Sequence, residues 1–288
     1  MNFLEILRHQ ITNLPIEQPD GLSFKQTITH KIREFGEIVD SSEDLSEPVN
    51  GMTLNPEIFK KRNKILREGI LDTIEIYYTG NLHGAYNRLA KFMKDANTDG
   101  YLNKEMFAQV DSSFFRIRKH NGNFPLTRPE LFHIPFDLRG KVATQRYSIP
   151  GLPSLYISNS IYTAWEEMRR PDFNEIQAIK LSNNRPLQLL NLRSDIYSRN
   201  AHVTDNVSYN WDPLYAVMIW PLIAACSVKV KNTLDTFKPE YIIPQLLLQW
   251  INKSKVDGIL YSSTHIDLSK SKHAGAFYNI VLPSNRLS

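Results

Sequence analysis

The stretch Gln145-Arg146-Tyr147-Ser148-Ile149-Pro150-Gly151-Leu152-Pro153-Ser154-Leu155-Tyr156-Ile157-Ser158, followed by Ala164-Trp165-Glu166, decides how this chain is read. It predicts a turn, a short strand, and then a helix with Glu166 on its first or second turn. Upstream, Phe115-Arg116 sits in an aromatic run with strand character. Downstream, Asp257-Gly258-Ile259-Leu260-Tyr261-Ser262-Ser263 predicts a turn, a strand and a serine at the strand's end.

Around this centre the chain changes texture once. After Ser112 come short β-type runs at 114–117, 154–157, 176–181, 187–192, 258–261 and 277–282, with helical pieces at 161–168 and 244–251. Runs of strands with few long helices predict an α+β domain around a small sheet. Before Asp111 the apolar residues recur at helical spacing instead. Asn55-Pro56-Glu57 is a good helix entry, and Phe59, Leu66, Ile70, Ile74 and Tyr77 line one face behind it. Thr79-Gly80-Asn81 breaks that helix, and Leu82, Ala85, Leu89 and Phe92 resume the spacing in a second one. The expected organisation is a helical N-terminal domain over 1–108 and a compact mixed-sheet domain over 109–288, with the boundary near 97–112. The acidic segment 40–48 is expected to be an exposed loop.

Composition excludes several classes. With 42% apolar residues, 14 Phe and 13 Tyr in 288 residues, the chain can bury a large core, so wholesale disorder is excluded. A single cysteine, Cys226, forms neither an internal disulfide nor a multi-cysteine zinc site, which suits a reducing cytosol. The opening MNFLEILRHQ interrupts its apolar residues with Glu5 and Arg8, unlike a secretory signal, and the expected location is cytoplasmic. The most apolar run, 214–228, is shorter than the ~20 residues a bilayer span needs and carries Pro221. It reads as buried core. An excess of 34 basic over 30 acidic side chains does not by itself indicate nucleic acid as a partner. Lys60-Lys61-Arg62, Lys64 and Arg67 read as a solvated helix face.

Several chemical-looking motifs do not hold. Asp95, Asn97, Asp99 and Gly100 open like a calcium loop, yet Met106 stands where the closing carboxylate belongs, so no metal is expected. Arg128 and His133 have the spacing of the HEPN ribonuclease motif, but Pro129 and Pro135 bracket them. No glycine pattern offers a P-loop or Rossmann phosphate cradle, and G-x-S-x-G is absent. Cys226, among alanines and isoleucines, reads as an inert core thiol.

The central residues, in order, resemble the RES domain. That family shows an aromatic-Arg strand, an Arg-aromatic turn, a Tyr-Leu-Ser strand, a helix with Glu and a terminal Gly-Ile-x-Tyr-x-Ser. The likeness runs from about Ser112 to Pro283. Here Tyr156 lies ten residues after Arg146 and Glu166 ten after Tyr156, while Gln145 stands where many members have Gly. His133-Ile134-Pro135-Phe136, the segment 220–227 and Ile243-Pro244-Gln245 are similar to a branch with a helical N-terminal extension, the HEPN/RES type. The resemblance implies a fold similar to ADP-ribosyltransferases and an enzyme that consumes NAD as substrate. Such an enzyme is an NAD glycohydrolase or NAD phosphorylase cleaving the nicotinamide–ribose bond. It also implies a toxin or defence effector, with an antitoxin or regulatory protein as its partner. The alternatives are transfer of ADP-ribose to a macromolecule and a non-catalytic nucleotide-sensing module. The N-terminal region is expected to regulate the enzyme, dock a partner or form a homo-oligomer.

The residue types suit that reaction. Breaking the bond to nicotinamide leaves positive charge on ribose, which calls for a carboxylate near the sugar and cations near the pyrophosphate. The expected catalytic residues are Glu166, Arg116 and Ser263: Glu166 for the ribose, Arg116 with Arg146 for the phosphates, and Ser263 for the carboxamide or a phosphate. The expected binding residues are Arg146, Tyr156, which would stack on nicotinamide, and Tyr147 beside Arg146. Taken singly, each has an ordinary alternative. An arginine in a turn is usually solvated, a strand tyrosine usually packs the sheet, and one of Glu166 and Glu167 normally faces water. The order and spacing of the set favour the functional reading.

Overall fold

Ser23 and Asn55 start the two long N-terminal helices as capping chemistry dictates, each side-chain oxygen accepting from a backbone N–H of the first turn. In the computed structural model, which describes all residues except 44, 46–54, 97–106, 198–212, 267–276 and 285–288, the N-terminal helices are α1 (Phe3–Arg8), α2 (Phe24–Ser41), α3 (Pro56–Tyr78) and α4 (Leu82–Ala96). Gly80, at φ +83°, ends α3 in the left-handed conformation that costs glycine least, at the break the sequence predicts. Most of the predicted apolar faces is buried in one core, Phe59, Leu66, Ile70 and Ile74 of α3 with Ala85, Leu89 and Phe92 of α4, whereas Tyr77 is half-buried and Leu82, at the start of α4, is exposed. Gly69 sets their separation, because a Cβ there would stand 2.4 Å from the Phe92 ring.

Two sequence expectations fare differently here. The exposed loop over 40–48 is corrected at its start: the apolar face Ile32, Phe35, Val39 carries α2 through Asp40 to Ser41, and Leu45 is buried in the core. Ser42 is buried and Glu43 exposed, while 44 and 46–48, like the calcium-type loop from Asn97 to Met106, lie outside the described residues.

The second half forms one seven-stranded sheet. Its strands are β1 (Phe107–Val110), β2 (Ser113–Lys119), β3 (Ser154–Ser158), β4 (Ile176–Ser182), β5 (Leu187–Leu192), β6 (Gly258–Ser262) and β7 (Tyr278–Pro283), in the order β1-β5-β6-β7-β3-β2-β4. β5 and β6 run parallel, and the other neighbours run antiparallel. A parallel pair needs a long crossover, and here it contains α6 (Pro213–Cys226) and α7 (Ile242–Asn252). A short α5 (Ile161–Glu167) follows β3. The fold is therefore α+β, as the sequence predicts.

Helix α6 is apolar on every side, and residues 214–226 are all buried, so it is the centre of the molecule rather than one face of it. The N-terminal helices pack on one side of it, and Leu190, Leu192, Ile259 and Val281 of the sheet join the same core. Pro221 lacks the N–H that would bond the Val217 carbonyl. Asn63 of α3 supplies the missing donor: its Nδ2 donates to Val217 O at 3.3 Å and to Met218 O at 3.2 Å. A polar side chain buried among apolar helices thus repairs a proline defect.

The segment before α2 binds the chain that follows α6. Ile16 bridges Val228, with Ile16 N donating to Ser227 O and Lys229 N to Ile16 O. Gln18 reaches Lys229 O and the buried Glu240, and Lys231 Nζ donates to the carbonyls of Pro19 and Leu22. This strap fixes residues 228–241.

Candidate active site

The register of three strands lays the floor of a cavity. Ser158 of β3 stands opposite Asn279 of β7, and Asn279 stands opposite Tyr261 of β6, so the three side chains form a row across the sheet. Tyr156, two residues before Ser158, shares their face because strand side chains alternate. Helices α6 and α7 cover this face over β5 and β6 but leave it open over β3 and β2. The result is a cavity of about 900 Å³ lined by β2, β3, α5, the turn before Arg146, and the strapped segment 228–241.

Three of the six residues expected from the sequence line this cavity: Arg116, Arg146 and Tyr156. Arg116 Nη1 donates to Tyr156 O at 2.8 Å, while its Nε is buried without a partner. Burial and the nearby Arg118 charge push its pKa down to about 10, which leaves it cationic at neutral pH. Arg146 is fixed by three bonds, Nη1 to Cys226 O and Val228 O at 3.0 Å each and Nη2 to Thr264 Oγ1 at 3.2 Å, and lies over the Tyr241 ring. Tyr156 is tied through its hydroxyl to Ser148 Oγ at 2.8 Å, and burial raises its pKa.

The other three lie outside the cavity lining. Tyr147 turns into the core, 1% exposed, against the Tyr261 ring at 4.7 Å. Ser263 is 2% exposed and accepts from the backbone N–H of His265, holding the turn after β6 from behind. Glu166 is buried, with Arg170 Nε donating to its Oε2 at 2.9 Å and its Oε1 without a partner, and it is not among the residues that line the cavity. That bond holds the carboxyl below the usual carboxylate range. The physical reason is helical geometry: neighbouring residues are about 100° apart around the axis. Ala164, Glu167 and Met168, at i, i+3 and i+4, share the face that lines the cavity.

The carboxylate in the cavity is thus Glu167. Asn279 Nδ2 donates to its Oε1 at 2.8 Å, and Ser158 Oγ in turn donates to Asn279 Oδ1 at 2.6 Å. His265 Nε2 stands 3.9 Å from Glu167 Oε2. Two successive residues with positive φ, Arg169 at 62° and Arg170 at 54°, end α5, a conformation costing ~1–3 kcal/mol per non-glycine residue. The strained turn sends Arg169 to the cavity and Arg170 to Glu166 and the face of Trp165.

Sequence reading missed Glu167, Thr264, His265 and Asn279. For Glu167 the signal was present in the spacing from Ala164 to Met168. Asn279 required the strand register, which the sequence does not contain. Among the lining residues are eight lysines and arginines and a single carboxylate. Among the described residues no three His, Cys, Asp or Glu side chains cluster to hold a metal ion, and no helix is long and apolar enough to cross a membrane.

The fold and site define an α+β chain with one strongly cationic cavity around an anchored carboxylate. The chain is 33% identical to the Bacillus subtilis (strain 168) protein named "Putative toxin YopC", over an alignment of 299 positions covering 94% of this chain and 63% of that protein. It therefore spans less than two thirds of that relative's length. No family model matches the chain, and no solved structure does.

Proposed function

We propose that this chain is an NAD-consuming enzyme of the RES type that cleaves the nicotinamide–ribose bond, with Glu167 as the carboxylate at the ribose. One observation carries the reading: a single carboxylate, held by Asn279 with His265 Nε2 3.9 Å away, shares a cavity with the half-buried side chains of Arg116 and Arg146 and the ring of Tyr156. Arg116 and Arg146 suit the pyrophosphate, since each is held by backbone carbonyls that orient but do not neutralise it. Tyr156, fixed by Ser148, offers a rigid ring against which nicotinamide can stack. Positive charge developing on the ribose is stabilised by Glu167, whose orientation is set before reaction, so no reorganisation is needed. Nicotinamide leaves as a neutral ring, which makes a strong general acid unnecessary.

The likeness to the Bacillus subtilis protein supports a toxin role, with loss of NAD as the toxic event and an antitoxin as its control. The test is to incubate purified protein with NAD and follow nicotinamide release and the ribose product by chromatography, with and without inorganic phosphate. Release of nicotinamide with ADP-ribose, or with a phosphorylated ADP-ribose when phosphate is present, is expected. Folded protein that leaves NAD intact under both conditions overturns the proposal.

A further inference from the structure

The cavity holds more positive charge than a pyrophosphate needs. With Arg116 and Arg146 assigned to the diphosphate, the β2 side still carries Arg118, Lys119 and Lys141. Strand alternation puts Arg118 on the same face as Arg116, about 7 Å further along, a separation on the scale of one ribose. Arg118 is half-buried and uses one Nη2 bond, at 3.0 Å, to the Phe132 carbonyl. Burial lowers its pKa, and the acid that offsets this, Glu130, has one carboxylate oxygen taken by the N–H and hydroxyl of Thr127. Lys119 and Lys141 form no ion pair among the described residues. The one lining carboxylate, Glu167, is already engaged by Asn279, so no acid remains to accept a bond from the second ribose's 2′-hydroxyl. In Rossmann folds a carboxylate at that hydroxyl accompanies NAD and an arginine nearby accommodates a 2′-phosphate; the same charge chemistry applies to any cavity that holds this ribose.

We propose that Arg118 and Lys141 form a second anion subsite that takes a 2′-phosphate, so the preferred dinucleotide is NADP. This rests on the reading of the cavity as a dinucleotide-cleaving site. The subsite uses a guanidinium fork, which matches two phosphate oxygens, with a mobile ammonium beside it.

Calorimetry on the full chain with ADP-ribose and with 2′-phospho-ADP-ribose tests the subsite without turnover. The phosphorylated ligand is expected to bind at least about tenfold more tightly, the equivalent of one charge-assisted hydrogen bond. Arg118→Ala combined with Lys141→Ala, both outside the sheet core, is expected to abolish that ratio and leave ADP-ribose affinity unchanged. In turnover, kcat/KM for NADP is expected to exceed that for NAD. Equal affinities, or equal weakening of both ligands by the double variant, would overturn the proposal. So would phosphate-stimulated NAD loss that depends on Arg118 and Lys141, because the site would then serve an acceptor phosphate. If the affinity ratio holds but neither dinucleotide is consumed, the subsite stands and the enzymatic reading fails. If NAD is consumed and the ratio is one, the reverse follows.

Discussion

The helical layer around α6 and the cavity beside it differ in how their charges are balanced. In the layer the buried arginine meets an acid and polar side chains bond carbonyls: Arg67 pairs with Asp40, Asn63 Nδ2 bonds Val217 O, which Pro221 leaves without its helical donor, and Thr73 bonds Gly69 O, although Thr27 Oγ1, Asn63 Oδ1 and Arg67 Nε are buried without a partner. In the cavity, the Arg116 Nε is buried without a partner and one carboxylate stands among eight cations. Burying an unpaired charge is costly, so natural folds keep such arrangements where a ligand completes them. The first region is dense with apolar contacts, and the second is rich in positive charge.

The contrast is broken if substitutions in the two regions produce the same kind of effect. The largest expected stability loss is in the layer: Phe59→Ala or Leu66→Ala, both fully buried, should cost ~3–5 and ~2–5 kcal/mol in denaturant unfolding. A loss below ~1 kcal/mol would mean α3 is not part of one cooperative core. In the cavity, Arg146→Lys keeps the charge but loses the fork that spans Cys226 O, Val228 O and Thr264. ADP-ribose affinity should fall about tenfold or more, while undiminished binding would remove Arg146 from the phosphate site. Asn63→Ala leaves the buried Val217 carbonyl without a donor, and ~1–3 kcal/mol of stability should be lost with ligand affinity unchanged.

The smallest effect belongs to Glu166. Its pKa is lowered in the folded state, so its pairing with Arg170 contributes above the ordinary carboxylate pKa and is lost as pH falls through the lowered one. Because Arg170 is largely exposed, Glu166→Gln should remove little stability at neutral pH and flatten the acid limb of the stability curve. A steeper acid limb in the variant would reverse the assigned direction.

Much of the fold was legible because it is written in periodicities. The β-type runs at 114–117, 154–157, 176–181, 187–192, 258–261 and 277–282 coincide with β2 through β7, and the break at Thr79-Gly80-Asn81 separates α3 from α4. β1 escaped because its four residues carry no alternation long enough to read. The apolar segment 214–228 announced burial but not its place between two layers, which is a matter of packing. The site was legible only in part. Arg116, Arg146 and Tyr156 are fixed in kind by their strands and turn, whereas Glu166 and Glu167 differ by one step of rotation on a two-turn helix. Residue identity cannot decide between adjacent acids, and only the side of α5 that meets the sheet does.

That pair offers the most direct measurement. Glu166→Gln and Glu167→Gln proteins should be compared for NAD and NADP consumption at equal concentration, with folding checked by circular dichroism. Glu167→Gln is expected to lose about 10²–10³-fold in turnover and Glu166→Gln to stay within a few-fold of the parent. Full turnover by Glu167→Gln together with an inactive, folded Glu166→Gln would contradict the account.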